Sequence, residues 1–454
     1  MGSKTSHQTH RKTEKYSIIT SCFIGVLVFV YLFSFGSGGY ETIDTVKRHL
    51  FYVICGGYCA IITGMLAFQR LVRKRSAENK KRLIDNSYLA QLFAVLYLLM
   101  TLISTIASPY RQVAWVGASR GEGFITIALY CLTFVYVAQF VKLNQWMVYA
   151  LGASCAILSC ICLLQMKSVN VFSLYPSGYT YWDGDIAYHG KYIGTIGNID
   201  HFSAFLSLAI PVLWCSILRM RGNKRFLLCI PLVLLLVVLV RIRVAAGLLA
   251  VAAGTVLCLP FVIPTSKRNR GIMILFLVVL IAFGAFFVRV HDFGNQTLHE
   301  AHALLNGNWD SSYGSGRLHI WSEVLKKAVS RLAFGYGPDT MICAGLDPFQ
   351  RYDDALGKTI ISLIDAAHNE YLNILFHQGV IALFAYLCMI AVSLTGWVKK
   401  AETCFPAAIC GCGIVCYCIQ AFFGISQPIT SPFFWVLLAL LVKSCDIRIA
   451  SVLR

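Results

Sequence analysis

The sequence predicts an all-α polytopic membrane protein of about twelve transmembrane helices with a large outer loop before the tenth, and three observations predict it. Hydrophobic residues make up 57% of the 454 and charged residues only 13%, about half the charged share of an average soluble protein. With a mean hydropathy of +0.68, the apolar residues fall into long runs free of Asp, Glu, Lys and Arg, near the roughly 20 residues that span a hydrocarbon layer. The third observation is a formal net charge of +18, which raises nucleic acid as a partner until its distribution is examined.

In chain order the first run, residues 16–40, starts after Lys15 and lacks a small-residue cleavage site, so it reads as a retained span and not a signal peptide. Met1-Gly2-Ser3-Lys4-Thr5-Ser6 fits a myristoylation pattern, which a twelve-span chain makes redundant. Residues 49–69, 86–110, 123–141, 143–166 and 201–218 give the second to sixth spans. The seventh, 226–240, has only 15 residues, and its end leans on Arg241 or on neighbouring helices. Then come 244–266, 271–288 and 371–398. The last run, 403–442, is 40 residues long and is cut in two by Gly424, Pro428 and Pro432.

With the N-terminus inside, the cytoplasmic segments hold 24 basic and five acidic residues and the outer segments 15 and 16. Cytoplasmic loops carry the excess of Lys and Arg, so the charge is a topology signal and no nucleic-acid partner is expected. The chain divides into a cytoplasmic tail 1–15, helices one to nine over 16–288, an extracytoplasmic loop 289–370, helices ten to twelve over 371–442, and a cytoplasmic tail 443–454.

Two outer loops are long, residues 167–200 and 289–370, and long loops are usually functional. In the second, residues 316–327 place Leu318, Trp321, Leu325 and Val329 at helical spacing, which predicts a short amphipathic helix along the membrane surface, capped near Ser315. It ends at the turn signal Phe334-Gly335-Tyr336-Gly337-Pro338.

Ionisable residues at membrane depth are functional candidates. Arg241 and Arg243 separate the seventh and eighth spans by three residues, and a guanidinium there suits a phosphate group or snorkels to the outer headgroups. Apart from Glu122 and Glu370 at span ends, no carboxylate sits in a span, which weakens a proton- or sodium-coupled transporter. His368 stands at the start of the tenth span, where an imidazole can take a proton from a substrate hydroxyl. His377, inside that span, reads as a hydrogen-bonded packing residue. Nearly all of the 18 cysteines lie in apolar runs and read as small core residues; Cys410, Cys412, Cys416 and Cys418 are spread around a helix axis and do not converge on a metal.

With these motifs in place, the sequence resembles the O-antigen ligase and polymerase superfamily along most of its length. The resemblance is carried by Gly117-Ala118-Ser119-Arg120-Gly121-Glu122-Gly123, by Gly194-Thr195-Ile196-Gly197-Asn198-Ile199-Asp200-His201-Phe202, and by Ser315-Gly316-Arg317-Leu318-His319-Ile320-Trp321. Phe334 to Pro338, His368-Asn369-Glu370-Tyr371-Leu372 with Gly379, and Ser426-Gln427-Pro428 complete it.

The resemblance implies a metal-independent, membrane-embedded glycosyltransferase of GT-C-like architecture in a bacterial cytoplasmic membrane, without a cofactor. Its donor would be an undecaprenyl-diphosphate-linked glycan and its acceptor a glycan or glycolipid. The resemblance maps Arg243 and Arg317 as diphosphate ligands and His368 as the catalytic histidine, with Arg120, Trp321 and Asn369 as further substrate-binding positions. The family reads Ser-Arg followed by small residues where this chain has Ile242-Arg243-Val244-Ala245-Ala246, which leaves Arg241 or Arg243 as the equivalent. Trp309, Tyr313, Trp321 and Tyr336 would offer flat faces to sugar rings. A polymerase and a ligase share this donor site and differ in the acceptor pocket; a polysaccharide or lipid-linked glycan flippase or transporter is the reading from another class.

Overall fold

In hydrocarbon a long uncharged run satisfies its backbone by forming an α-helix. The computed structural model describes residues 2–72, 86–175, 180–181, 186–187, 193–353 and 358–446. Its helices are α1 (Gly2–Val26), α2 (Ile43–Val72), α3 (Asn86–Ala107), the single turn α4 (Arg111–Ala114), α5 (Phe124–Phe140), α6 (Trp146–Gln165), α7 (Ile199–Arg219) and α8 (Cys229–Ile242). They continue with α9 (Ala245–Val262), α10 (Lys267–Val290), α11 (Gln296–Leu305), α12 (Arg317–Ala328), α13 (Glu370–Gln378), α14 (Val380–Lys400), α15 (Phe405–Ala421) and α16 (Ser431–Ser444). Among the described residues nine helical segments are long and apolar enough to cross a membrane, and α5, α15 and α16 are shorter apolar helices at the places of the fourth, eleventh and twelfth runs. The fold is all-α and polytopic. Two short antiparallel hairpins, β1 (Thr180–Tyr181) with β2 (Ile186–Ala187) and β3 (Phe349–Asp353) with β4 (Lys358–Ser362), lie in the two long loops. The basic stretch 73–82, Arg448 and Arg454, which carry part of the charge asymmetry, lie outside the described residues.

The core forms around α7, which packs on α15, α9 and α8, while α16 lies against α5 and α15. Lipid tails supply no hydrophobic drive between helices, so close approach of small residues holds them together. A Cβ at Gly254 of α9 would stand 2.3 Å from Cys416 Sγ of α15, and one at Gly413 would stand 3.2 Å from the Leu208 carbonyl of α7. The cysteines are free thiols, and Cys215, Cys258, Cys412 and Cys416 are fully buried in this packing. At the other extreme, α10 buries none of its residues.

Three expectations are corrected. The second helix starts at Ile43, six residues before the uncharged run, and includes Lys47. Its ammonium is fully buried and donates to the carbonyls of Tyr31 (3.0 Å) and Leu32 (3.1 Å), the open end of the first helix, where a cation meets the negative pole of the dipole. The tenth run is two helices, α13 and α14, broken at Gly379 (φ 86°). There the Phe334-to-Pro338 turn runs alongside: Tyr336 and Gly337 donate their backbone N–H to the carbonyls of Phe376 (2.9 Å) and His377 (2.8 Å), and a Cβ on Gly379 would stand 2.3 Å from the Ala333 carbonyl.

The third correction concerns α12. Its N-cap is Gly316, left-handed with no side-chain cap, and its buried residues are Ile320, Val324 and Ala328. These pack with Tyr336, Met341 and Phe376 into a small core under the second long loop, while Leu325 and Val329 stay exposed. Tyr336, expected as a sugar platform, is buried there and stacks on Phe376 with ring centroids 4.9 Å apart.

Candidate active-site cleft

The segment from Gly117 to Gly123 wraps around one carboxylate. Asp339 Oδ2 accepts the backbone N–H of Arg120 (2.8 Å), Gly121 (2.8 Å), Ser119 (3.2 Å) and Glu122 (3.3 Å), and Oδ1 accepts the Ser119 hydroxyl (2.9 Å). Successive N–H groups aimed at one point make an anion-holding concavity, and the glycines make room for it. Gly117 (φ 103°) lies so close to Asp339 that a Cβ would stand 2.3 Å from Oδ2, and at Gly121 (φ 70°) a Cβ would meet Arg48 Cδ at the same distance. Burial pushes the Asp339 carboxyl up from its ordinary value, against the hydrogen bonds from Ser119, Arg120 and Glu122 that pull it down.

This loop presents Arg120. Its Nη2 forms an ion pair with Asp365 (2.9 Å), both side chains about three-quarters buried, and its Nε is buried without a protein partner among the described residues. This pair borders a cleft of about 530 Å³ lined by Arg120, Asp200, His201, Arg317, Asp365 and His368 among others. Arg317, the first residue of α12, hydrogen-bonds the Gly314 carbonyl through Nη1 (3.0 Å), while its Nε is likewise buried without a partner among the described residues. Phe349 of β3 and Ser362 of β4 form another wall. The same ion pair also borders a smaller inner chamber of about 40 Å³, with Glu122, Glu370, Tyr130, Tyr386 and His377 around it. The hydroxyl of Tyr130 donates to Glu122 (2.7 Å), and those of Tyr386 and Tyr417 donate to Glu370 (2.5 and 2.9 Å). Burial pushes the Glu122 carboxyl up to about 8.

His368 has φ 48°, an uncommon conformation for a residue with a Cβ. Both flanks hold it there. The Ala367 N–H donates to Asn373 Oδ1 (2.7 Å) and the Ala367 carbonyl accepts Trp321 Nε1 (2.8 Å). On the other side the Asn369 side chain caps α13, accepting from the N–H of Tyr371 (3.0 Å) and Leu372 (3.1 Å). Asn369 is buried, so the structure gives this expected substrate ligand a capping bond, and it ties Trp321 to the backbone next to His368. Burial, then the guanidiniums of Arg120 and Arg317, push the imidazole below its ordinary value; the carboxylates of Asp200 and Asp365 act the other way.

Arg120, Arg317 and His368, three of the sequence-derived positions, thus meet in one cleft. Arg241 and Arg243 are exposed at the α8–α9 junction and are not among the cleft-lining residues; Arg243 is left-handed (φ 54°) and ends α8. One turn further, Gly247 approaches α7 so closely that a Cβ would stand 2.4 Å from Ser203 Oγ, which puts the start of α9 beside the start of α7, where Asp200 and His201 line the cleft. His377 is buried, its Nε2 has no protein partner among the described residues, and its carbonyl accepts from the Ser104 hydroxyl (2.7 Å) and the Gly337 N–H (2.8 Å).

Sequence reasoning missed Asp200, His201, Asp339 and Asp365. Asp200 and His201 lie within a motif segment, capped by Asn198 whose side chain accepts their N–H groups. Asp339 directly follows Phe334 to Pro338, and Asp365 precedes His368 by three residues. In each case the signal was adjacency to a motif, with no chemistry of its own until the fold brought the partners together.

No curated protein matches the chain. Residues 230–387, which run from α8 into α14 and contain Arg241, Arg243, Arg317, Asp339, Asp365 and His368, match the family model described as O-Antigen ligase.

Proposed function

We propose that the protein transfers or polymerises a glycan carried on a polyprenyl diphosphate, with undecaprenyl diphosphate as the carrier, at the outer side of a bacterial cytoplasmic membrane. The observation that carries this reading is the convergence of Arg120, Arg317 and His368 from three separate segments on one cleft of about 530 Å³. Twelve spans in a GT-C-like arrangement, with both termini cytoplasmic, would set the cleft on the outer face, where the lipid-linked donor and a glycan or glycolipid acceptor meet.

In this scheme the guanidiniums of Arg120 and Arg317 bind the diphosphate, and Arg241 or Arg243, near the start of α7, meets it from the lipid side. The acceptor hydroxyl attacks the anomeric carbon in line, with inversion. A C–O bond forms there as the C–O bond to the diphosphate breaks, and the electron pair leaves with the diphosphate. The hydroxyl proton passes to the His368 imidazole, which a lowered basicity keeps neutral before the reaction. The guanidiniums hold the leaving group more strongly as its charge develops, so they lower the barrier without a metal. Exposed Trp309 and half-buried Tyr313 offer aromatic faces to the acceptor sugars.

Deleting the gene and analysing the surface glycans tests this directly. Loss or shortening of one surface glycan, restored by the wild-type gene and not by His368→Ala, is expected; an unchanged glycan profile contradicts it. A ladder of lengths on the lipid carrier in vitro marks a polymerase, and a single transfer to another acceptor marks a ligase.

A further inference from the structure

The guanidinium offered to the diphosphate is already engaged, and the carboxylate that engages it belongs to the loop that carries His368. Arg120 Nη2 lies 2.9 Å from both oxygens of Asp365. Asp365 and His368 line the same cleft, and the two alanines and the pinned Ala367 peptide between them fix their spacing. The Arg120 backbone is held by Asp339, so a diphosphate in the cleft competes for a guanidinium whose base cannot move far. Among the described residues Arg120 Nε has no protein partner, which leaves a donor available for a second anion.

We propose that Asp365 is a positioning residue that couples donor binding to acceptor activation through a counter-ion exchange: the diphosphate draws Arg120 off Asp365, and the freed carboxylate turns its charge on the His368 imidazole. This rests on the glycan-transfer reading. Before the donor binds, His368 faces Arg120 of the Gly117–Gly123 loop, Arg317 of α12, Asp200 and His201 of α7, and an Asp365 neutralised by its pair. Asp365 in turn faces Arg120 and, across the inner chamber, His377 of α13. After the exchange one positive charge is committed to the diphosphate and one negative charge is released beside the imidazole. The imidazolium that forms when the acceptor proton arrives is then stabilised by a nearby carboxylate, as in an Asp–His pair. The base therefore becomes strong only when a donor is in place, and donor binding precedes acceptor deprotonation.

Asp365→Asn separates the two halves of the exchange. Binding of undecaprenyl diphosphate to the purified protein in nanodiscs should tighten about two- to five-fold, because Arg120 no longer has to leave a partly exposed ion pair, while kcat for glycan transfer falls at least about ten-fold. Asp365→Glu should recover most of kcat. Binding that is unchanged or weaker in Asp365→Asn, or an unchanged kcat, overturns the exchange. If Asp365→Asn does not fold, the wild-type protein still decides: the acid limb of kcat at saturating donor should lie at higher pH than that of kcat/KM for the donor, and coincident limbs overturn the proposal. A wild-type protein that neither binds undecaprenyl diphosphate nor transfers glycan defeats the transfer reading itself, and the exchange with it; one that does both yet shows no opposite effects in Asp365→Asn defeats the exchange alone.

Discussion

His368 is held in a left-handed conformation by bonds on both sides of it, and strain of this kind persists only where the surroundings over-determine it. Replacing it with Ala should lower transfer by about 10²- to 10⁴-fold, the usual contribution of a positioned base, with normal yield and thermal stability of the purified protein. The base works when unprotonated, and burial with two guanidiniums holds its pKa below 6.5. The acid limb of kcat/KM for the donor should therefore fall below pH 6.5; a limb above pH 7 contradicts the environment assigned to it. Asp339 acts one step back. Asp339→Asn puts an amide donor among four N–H groups, and leaving them unsatisfied costs about 1–3 kcal/mol. If it acts by presenting Arg120, Asp339→Asn should lower transfer at least about five-fold in the wild-type background and much less when added to Arg120→Ala, because effects through one contact are not additive. His368 and Arg317 were legible in the sequence because they stand in motif segments with recognisable chemistry. Asp339 and Asp365 were not, because a lone aspartate acquires meaning only from the backbone N–H groups and the guanidinium that the fold brings to it.

The helices themselves were legible, since an uncharged run in hydrocarbon has little choice but to be helical. What the runs hid were places where polar backbone or a charge enters the packing. Lys47 belongs to α2 because it closes the end of the first helix, a contact 15 and 16 residues back that no local pattern encodes. The α13–α14 break is a second case, since an apolar run across Gly379 gives no hint that another chain segment will dock there. Gly379→Ala adds a Cβ 2.3 Å from the Ala333 carbonyl at a φ of 86°. It should destabilise the protein by at least about 1–3 kcal/mol, read as a lower Tm in detergent, whereas Gly64→Ala in α2, where nothing lies within 4 Å, should leave Tm unchanged or raise it. For α12 the helical period was read correctly and the face was not: Ile320, Val324 and Ala328 point into a core built by the loop's own later residues.

Across the molecule, the charge asymmetry of the loops predicts an orientation in which residues 289–370 and the cleft would lie outside. Cys343, on this loop, is exposed, while the other exposed cysteines among the described residues, Cys22 and Cys160, lie on membrane-spanning helices. A membrane-impermeant maleimide applied to intact spheroplasts should therefore label the wild-type protein and not Cys343→Ser, and labelling that requires lysis reverses the orientation. The central claim is that Arg120, Arg317 and His368 form one site that moves a glycan from a polyprenyl diphosphate. Its most direct measurement is transfer by the purified protein in proteoliposomes, supplied with a radiolabelled undecaprenyl-diphosphate glycan and an acceptor, for wild type, Arg317→Ala and His368→Ala at matched fold and insertion. The expected result is transfer by wild type with stoichiometric release of undecaprenyl diphosphate and a loss of at least about 10²-fold in each variant; near wild-type transfer in both variants would contradict it.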